Sequence, residues 1–97
     1  MTTLVQIEHG VLEYDSWKAA FDRDPIHRQA GGVRRYRIFR PVDDPNYVAV
    51  DLEFDDPAPA QAFREALHGM WSTSIAQAAM SGQPRSRIVE VVEDVEL

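Results

Sequence analysis

The chain contains no cysteine, which excludes disulfides, thiolate metal sites and a cysteine nucleophile together. It has no apolar run approaching the ~18 residues of a membrane helix and no basic-then-apolar leader. A membrane partner is therefore not expected, and a cytoplasmic location is. Positive charge is scarce: 10 Lys and Arg stand against 16 Asp and Glu, a net charge of −6. A phosphate backbone needs a positive surface, so nucleic acid is not expected as a partner. The local run Arg34, Arg35, Arg37 and Arg40 divides between two strand faces, which splits the patch. Also missing are a glycine-rich phosphate loop, a nucleotide fingerprint and a Ser-His-Asp triad.

A hydrophobic content of 44% with 27% charged residues is that of a globular protein. The 97 residues suffice for one domain, 1–97, with a single core. A domain this small buries ~65% of its unfolded surface, so a second copy would add materially to its stability.

Period-two alternation is the strongest pattern. In Tyr47–Phe54, Val48, Val50, Leu52 and Phe54 share one face, and Tyr47, Ala49, Asp51 and Glu53 share the other. The run Val33–Arg40 places Arg35, Arg37 and Phe39 opposite Tyr36 and Ile38. Asp43-Asp44-Pro45-Asn46 between the two runs is a turn, so they read as an antiparallel hairpin. Thr3–Val11 is an earlier strand, with Val5, Ile7 and His9 of one parity and neither face purely polar.

Two segments have helical spacing. The first opens at Tyr14-Asp15-Ser16-Trp17, where Asp15 or Ser16 can cap free amides; its stripe is Trp17, Ala20 and Phe21. Asp24-Pro25 disturbs it, a further turn of helix fits 26–30, and Gly31-Gly32 breaks the pattern. The second starts at Asp55-Asp56-Pro57 and presents Phe63, Leu67, Met70, Trp71 and Ile75. Gly69 and Ser72-Thr73-Ser74 weaken it enough to bend or split it. Gly82-Gln83-Pro84 is expected to stop it, and a last strand is expected over Ser86–Val95. The order is β-α-β-β-α-β: an α+β, ferredoxin-like arrangement, a four-stranded antiparallel sheet with both helices on one face.

That order, with Tyr14-Asp15-Ser16-Trp17-Lys18, Phe39-Arg40 before Asp43-Asp44-Pro45-Asn46, and Glu53-Phe54 leading into Ala62-Phe63, resembles the dimeric α+β barrel superfamily. Within it, the chain is similar to small bacterial proteins known as cyclases or antibiotic-biosynthesis monooxygenases. The resemblance spans nearly the whole chain, but its motifs are structural punctuation and carry over no catalytic residue. It implies a homodimer, and a helix-free sheet face that lines an interior cavity. A hairpin register pairing Phe39 with Tyr47, Arg37 with Ala49 and Arg35 with Asp51 would give that face an aromatic mouth and an ion-paired floor.

Individual residues then acquire roles beside plainer alternatives. His9 is a general-base candidate, or a strand-end histidine with satisfied hydrogen bonds. His68 shares a helix face with Trp71; the pair could line a pocket, or Trp71 could be core and His68 solvated. Arg35 and Arg37 could hold a ligand's carboxylate or enolate oxygen, though cross-strand ion pairing with Asp51 and Glu53 is the favoured reading. Phe39 and Tyr47 are the aromatic wall candidates. His27-Arg28 reads as a solvated segment. The three histidines show no ligand spacing, so neither a metal nor any other cofactor is expected.

The expectation is a homodimeric barrel protein binding a small aromatic or polyketide-like molecule between sheet and helices. If it is an enzyme, the reaction would be a cofactor-independent oxygenation, isomerisation or cyclisation. The alternative is a non-catalytic, stress-related or ligand-binding barrel protein.

Overall fold

The computed structural model describes residues 2–97. Seven elements follow in order: β1 (Thr3–Val11), α1 (Tyr14–Asp22), β2 (Arg35–Phe39), β3 (Tyr47–Phe54), α2 (Pro57–Trp71), α3 (Ser74–Ala79) and β4 (Met80–Glu90). The four strands make one antiparallel sheet in the order β2-β3-β1-β4. This is the expected ferredoxin-like arrangement, with one short helix added.

The alternation in β1 and β3 decides where the core lies. Pairing sets Val5 against Leu52, Ile7 against Val50 and His9 against Val48. These six residues are all buried, and Val5, Val48, Val50 and Leu52 are at most 1% exposed. The helices cover that face. Trp17 of α1 and Ala60, Phe63 and Leu67 of α2 are buried against it, with Phe21, Met70 and Trp71 packed around them. The opposite face, carrying Leu4, Gln6, Glu8, Ala49, Asp51 and Val89, is only half-buried.

Helix starts follow local chemistry. Glu13, rather than Asp15 or Ser16, caps α1, its carboxylate accepting the amides of Asp15 at 3.2 Å and Ser16 at 3.1 Å. Asp15 and Ser16 lie inside the first turn, where they supply those amides instead of capping them. Asp56 stands at the N-cap of α2 with Pro57 behind it as expected, yet its side chain makes no capping bond. The Ser-Thr-Ser cluster does split the second helix. Ser72 Oγ and Thr73 Oγ1 turn back onto the carbonyls of Gly69 and Met70, and Thr73 then accepts the Ala76 amide to cap α3.

Three expectations need correction. The β2–β3 register is displaced by two residues: Phe39 pairs with Ala49, Arg37 with Asp51 and Arg35 with Glu53. An even displacement keeps every side chain on its face, so the hydrophobic pattern could not detect it. The segment 26–30 forms turns rather than a helix. Gly82-Gln83-Pro84 does not stop a helix; the helix has ended at Ala79, and β4 begins at Met80 and ends at Glu90 rather than Val95.

The β1–β4 register explains the glycine and proline. It passes from Glu8–Arg85 to Gly10–Ser81, so Gly82, Gln83 and Pro84 together face His9 alone. Gly82 has φ +76°, a left-handed conformation that favours glycine. Proline cannot donate to a ladder and sits readily in a bulge. These breaker residues therefore make a bulge inside an edge strand. At Gly10 the two strands approach so closely that an added Cβ would lie 2.7 Å from the Ser81 carbonyl oxygen. Gly10→Ala is expected to destabilise the protein by about 1–3 kcal/mol through that overlap. Equilibrium urea unfolding checks this, and an unchanged midpoint would show that the strands yield freely there.

Candidate functional site

Between the covered sheet face and the helices lies a cavity of about 320 Å³. That is the small end of the range for ligand sites. Ile7, Val50 and Leu52 form its floor, while Trp17, Phe21, Phe63, Leu67, Met70 and Trp71 line it from the helices. The segment 23–28 and helix α3 complete the lining. Among apolar walls, His9 is the polar group supplied by the sheet.

His9 is buried because its parity is that of Val5 and Ile7; it is 4% exposed. Its Nδ1 lies 2.8 Å from the Gly10 carbonyl oxygen. A carbonyl only accepts, so Nδ1 carries the proton and the lone pair is left on Nε2. Trp17 and Trp71 meet the imidazole edge-on, at centroid distances of 5.9 and 6.3 Å. Burial lowers the His9 pKa below its ordinary 6.5, and the bond to the Gly10 backbone only partly offsets this. The ring is thus a neutral, oriented base in an apolar surround.

His68 and Trp71 are brought together by helical spacing, their rings stacked at 5.4 Å. Trp71 lines the cavity, whereas His68 is exposed outside it. His68 Nε2 is 2.8 Å from Ser86 Oγ, which also receives a 2.8 Å bond from Arg64 Nε. The three residues tie α2 to β4.

Arg35, Arg37, Phe39 and Tyr47 all occupy the half-buried face, across the sheet from the cavity. Arg35 Nε donates to Glu53 at 2.8 Å, the cross-strand pairing favoured from the sequence, although its partner is Glu53 rather than Asp51. Arg37 lies over the Phe39 ring at 5.5 Å. Arg35 and Arg37 also border a polar depression of about 120 Å³ with Asp51, Glu53 and Asp94. Tyr47 pairs with Gly10 instead of Phe39 and donates its hydroxyl to Glu8 at 3.0 Å. Desolvation, then the bond to Glu8, pushes the Tyr47 phenol upward, so it remains a donor. The register shift thus replaces an aromatic mouth with separate polar pairs.

Among the described residues, no three His, Asp or Glu side chains gather as a metal site would require, and no helix is long and apolar enough to cross a membrane.

Arg28, read from the sequence with His27 as part of a solvated segment, turns inward instead. It is a cavity-lining residue whose side chain is only 14% exposed. Its guanidinium lies 3.9 Å over the Phe21 ring and donates through Nη1 to the Phe21 carbonyl at 2.8 Å. The backbone turns it inward: Asp24 and His27 both adopt φ 53°, and Asp24 Oδ1 accepts the Arg28 amide at 2.8 Å. Asp and His are among the few non-glycine types that tolerate this conformation. Trp17 and Phe21 were legible as a packing stripe, but not as cavity walls.

The neutral burial of His9 has a consequence for stability. Below pH 6.5 the unfolded chain takes up a proton at His9 before the folded chain does, so stability falls as pH drops from 6.5 through the lowered folded value. His9→Gln is expected to flatten that part of the profile. Denaturant midpoints between pH 7.5 and 5 check this; parallel profiles for the two proteins would rule it out.

No protein-family profile matches the chain, and no curated protein matches it in sequence. Solved structures do. A dimeric ferredoxin-like protein from an uncultured marine organism superposes with a TM-score of 0.71 at 13% identity, over 97% of this chain and 98% of its own. SnoaB, a cofactor-independent oxygenase from Streptomyces nogalater, superposes at 0.65 with 17% identity, over 97% and 95%. A protein of Nitrosomonas europaea provisionally named an antibiotic biosynthesis monooxygenase superposes at 0.63 with 18% identity, over 94% and 90%. The strand order, the helix-covered face and these superpositions together assign the chain the ferredoxin-like fold shared by dimeric ferredoxin-like and antibiotic biosynthesis monooxygenase-like proteins.

Proposed function

We propose that this protein is a homodimer that binds a small aromatic or polyketide-like molecule in the cavity between sheet and helices, with His9 as the proton-transfer group. The observation that carries the reading is a buried imidazole, fixed through Nδ1 to Gly10 and kept neutral by burial, in a cavity otherwise lined mainly by apolar side chains. A lone pair on Nε2 can remove an acidic C–H or O–H proton from a bound ketone or phenol. That step is common to cofactor-independent oxygenation, isomerisation and cyclisation. The similarity in fold to a cofactor-independent oxygenase supports such chemistry. Trp17 and Trp71 hold the imidazole and present ring faces to a flat ligand. His68 acts through Trp71, which it stacks against, and through its tie to β4.

The dimer rests on the half-buried sheet face and on the dimeric protein of the same fold. Leu4, Ala49, Phe39 and Val89 lie on that face among paired charges. Beyond β4, Val92, Val95 and Leu97 are exposed, a cost that a second copy would relieve by covering them.

Native mass spectrometry tests the assembly: two 11.0 kDa chains are expected, together with any retained organic molecule. A monomer at micromolar concentration would remove the dimer. Catalysis is tested with 2-tetralone, a bicyclic ketone bearing an acidic C–H, by following its deuterium exchange by NMR. The protein is expected to accelerate exchange over buffer. His9→Gln should reduce that acceleration by about 10²-fold or more, and His68→Ala by only a few-fold. Full acceleration by His9→Gln would overturn the assignment of the base. No acceleration by the unaltered protein would leave a ligand-binding role and remove the catalytic one.

A further inference from the structure

The protein as a whole is acidic, with a net charge of −6, but its cavity is not. Among the described residues, the ionisable groups that line it are His9, Arg23 and Arg28; no Asp or Glu does. Sixteen carboxylates are excluded from the one place where their field would be least screened. Of the two arginines, Arg28 is the more enclosed, half-buried where Arg23 is exposed. Its Nη1 is satisfied by the Phe21 carbonyl at 2.8 Å, and Asp24 Oδ1 lies 3.5 Å from that same nitrogen. Among the described residues, Nε and Nη2 have no hydrogen-bond acceptor, which leaves three N–H donors of a half-buried guanidinium free. These donors are open to solvent rather than sealed, so a ligand oxygen can take the place of water on them.

Phe21 and Tyr36 hold the guanidinium plane, with centroids at 3.9 and 5.1 Å. Such stacking leaves the fork's edge open to the planar oxygen pair of a carboxylate. Phe21 in turn lies 5.2 Å from Trp17, and Trp17 lies 5.9 Å from His9. Two aromatic side chains therefore lead from the cationic end of the cavity to the basic one.

We propose that the ligand is an amphiphilic monoanion: its carboxylate is seated on Arg28, with Arg23 beside it, and its apolar ring system extends along Trp17 towards His9. This inference rests on the cavity being the ligand site. It adds the charge of the ligand, its orientation and the residue that reads them. Arg28 then acts as a specificity residue, favouring acids over neutral molecules of the same shape.

The test uses 2-naphthoate and its neutral isostere 2-naphthamide, titrated into the intact protein while the fluorescence of Trp17 and Trp71 is followed. Naphthoate is expected to bind at least tenfold more tightly than naphthamide. Arg28→Gln should abolish the preference for naphthoate over the amide; Arg28→Lys should keep part of it. Because the comparison of the two probes in the unaltered protein needs no variant, it stands even if Arg28→Gln fails to fold. Equal binding of the two probes, or tighter binding of the amide, would overturn the anion assignment while leaving the cavity as a site. Binding of neither probe would overturn the cavity reading and this inference with it. A preference that survives in a folded Arg28→Gln protein would show that Arg28 is not the seat.

Discussion

The structure depends on the pairing of β1 with β3, two strands whose apolar residues alternate in step. Val5 against Leu52 and Ile7 against Val50 make one continuous apolar face, and a slip of a single residue would turn that whole set outward. Both helices are recruited by this face, since their own buried residues have no other surface to meet. His9 is captive to the same periodicity. It shares the parity of Val5 and Ile7, so it is buried as a consequence of their packing rather than through any preference of imidazole. The polar centre of the site is thus placed by the hydrophobic effect acting on its neighbours.

The two sheet faces have divided the polar residues by what each can tolerate. On the half-buried face, charges occur in pairs or reach solvent, as Arg35 does with Glu53 and Tyr47 does with Glu8. On the covered face, polar groups must be few and individually anchored. His9 is anchored by a backbone carbonyl, and Arg28 by a helix-end carbonyl and two aromatic rings. The exposed His68 stacks on Trp71 from the same helix face, yet it lies outside the cavity and is held by a strand hydroxyl.

How much of this was legible follows the range of each signal. Strands β1 and β3 were readable to the residue, since alternation is a local property that every side chain reports. The weakness at Ser72–Ser74 was readable because hydroxyls compete for nearby carbonyls wherever they occur. The β2–β3 register was not: a displacement of two preserves the pattern, and a long turn leaves the pairing free. Gly82 and Pro84 were read as an ending because glycine and proline mark turns and bulges alike, and only the partner strand distinguishes them. Ile75 continued the helical stripe in sequence, yet it is 81% exposed because the chain breaks at Thr73 and α3 sets off in a new direction. The reading of Arg28 as solvated was the furthest from the structure. Two left-handed residues aim it, and no spacing rule announces them.

The bulge at Gly82–Pro84 also bears on how the molecule avoids its own kind. A sheet with two free edges can in principle be lengthened indefinitely by other chains, the route to amyloid-like stacking. Here β4 forms one edge, and three residues crowded opposite His9, one of them a proline, interrupt its row of donors and acceptors. The other edge, β2, is only five residues long and carries two arginines. Neither edge offers a long, regular template, so growth by strand addition is discouraged at both ends of the sheet. The same kink that falls opposite the imidazole in the strand pairing thereby works against growth into a fibre.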